Sequence, residues 1–171
     1  MGSARIVVMG VSGSGKTTVA RALAQALKLP FLEGDDLHPP DNIARMAAGV
    51  PLTDADRQVW LAAIAMRLAA AGGRRRGGLV VTCSALKRAY RDQLRAAAPD
   101  LQLVFLHGES GLLATRLAAR RDHYMPASML PSQLATLEPP GPDERAIVGD
   151  VAQTPDTIVA ALLRQLQASS P

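Results

Sequence analysis

Short apolar runs alternate with segments of helical periodicity along most of the 171 residues. A continuous apolar run predicts a buried strand, and apolar residues three and four apart predict an amphipathic helix. The predicted strands are residues 5–9, 31–32, 79–83, 101–106 and 146–148. The predicted helices are residues 16–28, a helix that begins at the capping box of residues 53–56, residues 86–97, residues 111–121 and a helix that begins at residues 154–155. Alternating strands and helices predict one α/β domain over residues 1–171, a three-layer α/β/α sandwich around a parallel five-stranded sheet.

Two stretches break this pattern, residues 38–51 and residues 123–142, the second with several prolines. Long irregular stretches in a compact domain tend to be lids or binding loops. We therefore predict a substrate-binding segment at about residues 36–60 and a mobile lid at about residues 121–142. The run of three arginines at residues 74–76 lies beside glycines and is more typical of a solvated turn than of a site.

Composition narrows the classes of protein. Hydrophobic residues make up 48% of the chain and charged residues 20%, which suits a domain with an aliphatic core. The single cysteine, Cys83, cannot form an intramolecular disulfide, and this fits a reducing cytoplasm and a buried, inert thiol. No apolar run approaches the roughly 20 residues that span a bilayer, so no membrane partner is expected.

The formal charge of +4 is compatible with nucleic acid, and equally with a site that gathers ATP and an anionic substrate. Aromatic RNA-binding motifs, zinc-finger spacing and a basic tail are absent from the sequence. We therefore expect a small-molecule substrate and no nucleic acid.

A phosphate-binding motif follows the first predicted strand. Gly10, Val11, Ser12, Gly13, Ser14, Gly15, Lys16 and Thr17 match the pattern G-x-x-x-x-G-K-[ST], and Thr18 follows in the same helix start. Glycines let backbone N–H groups approach phosphate oxygens, and the helix dipole adds positive charge. Lys16 is expected to reach the β- and γ-phosphates, and the Thr17 hydroxyl to ligate Mg²⁺. A chance glycine turn is the alternative. The place of the motif between a predicted strand and a predicted helix favours binding of ATP with Mg²⁺.

The motif alone does not identify the acceptor, because GTPase switches, ATPase motors and kinases share it. Many of these proteins place an Asp at the end of a buried strand to hold the metal. Here the predicted strand at residues 79–83 is followed by Ser84, without a carboxylate. This arrangement resembles the branch of shikimate and nucleoside kinases.

Carboxylates follow the second strand, at Glu33, Asp35 and Asp36. The carboxyl ends of parallel strands face the crevice where open α/β sheets bind ligands. Strand alternation predicts Glu33 and Asp35 on one face. Phosphoryl transfer needs a carboxylate to orient the acceptor hydroxyl, so we predict Asp35 as the base and Glu33 in the outer shell of the metal. A solvated acidic turn is the alternative.

The chain resembles the gluconokinase family of P-loop kinases over nearly its whole length. The blocks that carry the resemblance are residues 10–16, 31–39, 42–46, 49–57, 60–61, 83–91, 123–125, 129–130, 132–133 and 137–138. The resemblance implies transfer of phosphate from ATP to the 6-hydroxyl of D-gluconate, giving 6-phosphogluconate, with a Mg²⁺ requirement and often a homodimer. Relatives commonly have Asp where this chain has Glu33.

Cations near the predicted crevice suit an anionic acceptor. Arg57, Lys87 and Arg91 lie near strand-to-helix junctions, and Arg can bind a carboxylate with two hydrogen bonds. A surface salt bridge is the alternative for Arg57, and substrate and structural roles stay open for Arg91. The family resemblance implies hydroxyl binding by His38, and Arg45 is a further substrate candidate.

Arginines also end the helix before the lid. Arg116 and Arg120 are four residues apart and share a helix face. Resemblance to lid arginines of related kinases implies that Arg120 stabilises the transferring phosphoryl group and that Arg116 belongs to the nucleotide site. Interaction with the helix C-terminus is the alternative. By the same resemblance Gln153 lies near the adenine, although it also fits a helix N-cap, and His123 shapes the lid.

Two rival functions remain at this point. One is a kinase for another anionic metabolite such as shikimate, which the blocks at His38-Pro39 and at residues 83–87 argue against. The other is a nucleotide-sensing module, which would bind ATP without acceptor-dependent turnover.

Overall fold

A computed structural model describes residues 4–73, 77–120 and 125–168. The strands are β1 Arg5–Met9, β2 Phe31–Leu32, β3 Leu79–Thr82, β4 Gln102–His107 and β5 Ile147–Asp150. The helices are α1 Lys16–Leu27, α2 Pro40–Ala47, α3 Asp54–Gly72, α4 Arg88–Ala97, α5 Ser110–Ala119, α6 Leu130–Thr136 and α7 Pro155–Ala168, and 3₁₀ turns occupy Gly34–Leu37, Ala127–Met129 and Pro142–Glu144. The expectations for residues 74–76, Arg121 and His123 lie outside the described residues.

The five strands form one parallel sheet in the order β2-β3-β1-β4-β5. Side chains of the central strand β1 alternate between two cores. Ile6 and Val8 pack with α1 and α7 on one face of the sheet. Val7 and Met9 pack with α3 and α4 on the other face. The predicted three-layer α/β/α sandwich is therefore confirmed, and its physical cause is a sheet that is apolar on both faces.

The stretches that broke the regular pattern contain short helices. Helix α2 lies in the predicted substrate-binding segment, with Pro40 in its first turn, and α6 lies in the predicted lid. The mobility of the lid stays a prediction.

Among the described residues, no helix combines the length and the hydropathy that a membrane span requires.

The topology places the phosphate loop directly after β1, the acidic segment after β2 and Ser84 after β3 at one edge of the sheet. These segments meet because parallel strands all end on the same side.

Candidate active site

The phosphate loop connects β1 to α1. Gly13 and Gly15 have φ values of 84° and 85°, in the left-handed region that favours glycine. A Cβ on Gly13 would also lie 2.8 Å from the Cγ of Leu117. The loop is therefore closed by glycine conformations and packs directly on α5.

Lys16 and Thr17 begin α1 and line a cleft above the loop. Lys16 Nζ donates to the Val11 carbonyl at 3.0 Å. Burial lowers the pKa of Lys16, and the carboxylates of Asp35 and Glu33 oppose that shift. A partly dehydrated ammonium group beside two carboxylates is suited to binding phosphate oxygens.

Asp35 reaches the cleft from a 3₁₀ turn rather than from a strand. Strand β2 ends at Leu32, and the turn at Gly34–Leu37 begins two residues later. The strand-alternation argument for Glu33 and Asp35 is therefore wrong in its geometry, although both residues line the cleft. Asp36 is exposed and is not among the residues that line it.

His38 ends the acidic turn and is 8% exposed. Its ring stacks on Trp60 with 4.2 Å between ring centres, and its Nδ1 lies 3.4 Å from the Asn42 amide nitrogen. Burial lowers the pKa of His38 to about 4, and the nearby Arg57 also lowers it while Asp35 opposes the shift. The imidazole is therefore neutral at pH 7 and offers a hydrogen bond rather than a charge.

Arg57 projects into the cleft from the first turns of α3. The predicted capping box is present, since Thr53 Oγ1 accepts from Asp56 N–H at 3.1 Å and Asp56 Oδ2 accepts from Thr53 N–H at 2.9 Å. Arg57 donates to the Tyr90 hydroxyl at 2.9 Å, and Tyr90 donates in turn to Asp54. The guanidinium is thus hydrogen-bonded to a neutral hydroxyl, and its charge also helps to lower the pKa of the nearby Asp54 and Asp56 carboxyls.

The lid contacts the phosphate loop through Gln133 of α6. Ser12 N–H donates to Gln133 Oε1 at 2.7 Å, and Gln133 Nε2 lies 3.0 Å from Met125 Sδ. Met125 and Met129 also form a small apolar cluster with Met46 and Leu52 of the substrate-binding segment. The lid therefore rests on both halves of the cleft in this structure.

Arg120 caps the C-terminal end of α5 and lines the cleft. It is close enough to contribute to the lowered pKa of Lys16. Arg116 lies in the last turn of α5 and Gln153 in the loop between β5 and α7, and neither is among the residues that line the cleft. Their nucleotide contacts stay predictions.

The structure contradicts the substrate role of Arg91. Its side chain has no exposure to solvent and forms two hydrogen bonds with Glu144, at 2.7 and 2.9 Å. It also donates to the carbonyls of Ala85 and Leu86. The buried guanidinium forms four hydrogen bonds within the protein, so Arg91 is a structural residue of α4 and is not available to a substrate.

Lys87 and Arg45 occupy the rim rather than the cleft. Lys87 pairs with Asp54 at 3.0 Å, and Arg45 pairs with Asp56 at 3.2 Å. Neither is among the cleft-lining residues, so the structure does not bring them together with Asp35.

Cys83 is buried, and burial raises the pKa of its thiol to about 12, in accord with an inert side chain.

Sequence reasoning assigned no role to Trp60, Thr82, Tyr90 or Gln133. Trp60 follows Arg57 by three residues, a helical spacing that could have placed both on one face of α3. Thr82 is the single hydroxyl residue of the apolar strand β3, and this polar position could have indicated a role at the end of the strand. For Gln133 no local signal exists, because its partner Ser12 lies 121 residues away.

Comparisons with known proteins agree with this geometry. A family model described as an AAA domain matches residues 6–140. The chain is 52% identical to a gluconokinase of Gluconobacter oxydans over 165 residues, covering 95% of this chain and 91% of the relative. A crystal structure of a Sinorhizobium meliloti gluconokinase is 51% identical with a TM-score of 0.84 and covers 98% of both chains. An unliganded sugar kinase from a Janibacter species is 45% identical with a TM-score of 0.92, covering 98% of this chain and 96% of that one.

A phosphate loop that faces carboxylates across a lidded cleft, on a parallel five-stranded sheet, defines an ATP-dependent P-loop kinase. The breadth of the matches narrows the class. The chain belongs to the gluconokinase family.

Proposed function

We propose that this protein transfers the γ-phosphate of ATP to the 6-hydroxyl of D-gluconate. One observation carries the proposal: Arg57, His38 and Asp35 line the same cleft as Lys16 of the phosphate loop. That set offers a cation for a carboxylate, a neutral hydrogen-bonding group for hydroxyls, and a carboxylate for the reacting hydroxyl. Gluconate carries the matching carboxylate and hydroxyl groups on one short chain.

The residues present also fit Mg²⁺. Magnesium prefers oxygen ligands and usually combines one or two protein groups with water and substrate phosphates. Thr17 and Glu33 bring a hydroxyl and a carboxylate together, with 2.6 Å between their oxygens. Within the ranges that the structure describes, no cluster of three or more His, Cys, Asp or Glu side chains could hold a metal by itself. When bound with ATP, Mg²⁺ would neutralise charge on the phosphates, with Thr17 as its protein ligand.

The remaining steps use the chain's own groups. Lys16 and the loop N–H groups bind the phosphates of ATP, and Arg57 binds the carboxylate of gluconate. Asp35 accepts the proton of the gluconate 6-hydroxyl while the hydroxyl oxygen attacks the γ-phosphorus of ATP, and ADP leaves. Arg120 stabilises the charge of the transferring group, and the lid excludes water from the cleft. The homodimer and the cytoplasmic location inferred from the sequence stay predictions.

The direct test measures ADP production by the purified protein with Mg·ATP, with and without D-gluconate. We expect a large gluconate-dependent rate, and we expect the product to be oxidised by a 6-phosphogluconate dehydrogenase. Shikimate and other sugar acids serve as controls for the acceptor. If none of these acids stimulates ADP production, the result favours the nucleotide-sensing module. If another acid stimulates it more than gluconate does, that acid replaces gluconate as the proposed acceptor.

Arg57 provides the test of the carboxylate site. Because a hydrogen-bonded ion pair contributes about 1.5–3 kcal/mol, Arg57→Gln should raise the KM for gluconate about 10- to 100-fold. The KM for ATP should change far less, since the loop is untouched. Arg45→Gln is the matched control, because Arg45 is a cation of the same segment that pairs with Asp56 outside the cleft. An equal effect of both substitutions would remove Arg57 from the proposed role.

A further inference from the structure

Thr82 ends β3 and is buried, with 1% of its surface exposed. Its hydroxyl donates one hydrogen bond and accepts another, both with residues of the acidic segment at the active site. Thr82 Oγ1 accepts from the Gly34 N–H at 3.0 Å and donates to Glu33 Oε1. Since a hydroxyl has a single proton, these two bonds fix its orientation.

The first branch leads from Thr82 to the metal ligand. Glu33 accepts from Thr82 with one carboxylate oxygen and from Thr17 Oγ1 with the other, at 2.6 Å. The Thr17 proton is therefore directed at Glu33, and the lone pairs of its oxygen are left for a cation. The bond from Thr82 to the second carboxylate oxygen restrains the rotation of the Glu33 carboxylate in this arrangement.

The second branch leads from Thr82 to the acceptor. Gly34 begins the 3₁₀ turn that carries Asp35, and its carbonyl accepts from Trp60 Nε1 at 2.8 Å. A side chain on Gly34 would clash with the Thr82 carbonyl oxygen, so the turn lies directly on the end of β3. The bond from Gly34 N–H to the Thr82 hydroxyl thus sets where Asp35 begins its approach to the cleft.

We infer that Thr82 is a positioning residue whose single hydroxyl aligns the metal ligand Thr17, through Glu33, and the acceptor base Asp35, through Gly34. Thr82 is not among the residues that line the cleft. The Asp35 branch rests on the proposed function, whereas the Thr17 branch depends only on nucleotide binding. The two can therefore be tested separately.

The experiment compares Thr82→Val, which removes the hydroxyl at nearly constant shape, with Thr82→Ser, which retains it. Calorimetry measures ADP affinity in EDTA and in Mg²⁺ without gluconate, and steady-state kinetics measure kcat and both KM values. Partners of a metal ligand typically contribute 10- to 100-fold, so T82V should lose about that factor in kcat and about 10-fold of the Mg²⁺-dependent gain in ADP affinity. Its affinity in EDTA and its KM for gluconate should stay within about threefold of the wild type, and T82S should recover both losses.

The opposite results overturn the inference. If T82V keeps the Mg²⁺-dependent gain in affinity, or if T82S is as impaired as T82V, Thr82 serves packing alone. Should T82V fail to fold, Glu33→Gln tests the Thr17 branch, because only one of the two terminal atoms of an amide is an acceptor, whereas Glu33 accepts at both of its oxygens. Glu33→Gln must then reduce the Mg²⁺-dependent gain, and a wild-type gain sinks the inference. A protein that shows these binding effects but does not phosphorylate gluconate would refute the proposed acceptor and leave the Thr17 branch intact.

Discussion

Replacing Asp35 with Asn should lower kcat by about 10²- to 10⁴-fold, the usual contribution of a positioned acid or base. Asp35 lines the cleft and lies close enough for its charge to oppose the lowering of the pKa of Lys16 and of His38 that burial causes. The amide of Asn fills the same space but cannot take the proton of the acceptor hydroxyl. Affinity for Mg·ATP should be retained, because the phosphate loop is unchanged.

Asp36→Asn is the matched control for this experiment. Asp36 is the adjacent carboxylate of the same 3₁₀ turn, yet it is exposed and not among the cleft-lining residues. The same loss of charge should therefore leave kcat near the wild-type value. Calorimetric ATP binding by both variants shows whether the nucleotide site is intact. Full turnover by Asp35→Asn would remove Asp35 from the role of base.

The sequence predicted those features of the fold and the site that depend on neighbouring residues. Five apolar runs gave five strands, and the runs of β1, β3 and β4 are continuous because these central strands are buried on both faces. The phosphate loop was recognisable because its glycines, lysine and threonine have fixed spacing along one turn. The capping box at Thr53 was predicted for the same reason and is confirmed.

Features that depend on distant partners could not be predicted in this way. Lys87 and Arg91 were grouped by their place near strand-to-helix junctions, but Arg91 pairs with Glu144, 53 residues away. The place of a cation along the chain does not show whether it finds a buried carboxylate. The 3₁₀ turn of Asp35 likewise depends on Trp60 and Thr82, which lie in other elements.

The hydrogen bonds of Thr82 and Gln133 add a physical reason for this division. Both side chains are buried, and both bind the loops that carry the chemistry rather than the substrates themselves. In a local pattern Thr82 is the one polar position of β3, and Gln133 is one of several polar positions of α6. Their role emerges only when the sheet brings β3 beside the acidic turn and α6 above the phosphate loop.

The ion pair that removed Arg91 from the substrate site gives the largest expected effect on stability. Glu144 accepts from Arg91 and from Arg95, and its side chain is 1% exposed. Removing one partner of a buried pair leaves the other charge uncompensated, so Glu144→Gln should lower the free energy of unfolding by about 3–5 kcal/mol at pH 7. Urea unfolding followed by circular dichroism measures this difference. Asp143→Asn is the control, since its bridge to Arg88 lies on the surface and should have little effect.

The pH dependence of unfolding distinguishes this ion pair from simple packing. The hydrogen bond from Arg91 is the main cause that lowers the pKa of Glu144 from 4.5 to about 2. A carboxyl whose pKa is lower in the folded protein stabilises it fully above pH 4.5, and this stabilisation is lost as the pH falls toward 2. Glu144→Gln should therefore lack the wild-type loss of stability over that window.

Arg91→Met combined with Glu144→Gln should recover much of the stability, because no buried charge is then left without a partner. If the double variant is less stable than Glu144→Gln alone, packing rather than charge pairing explains the cost.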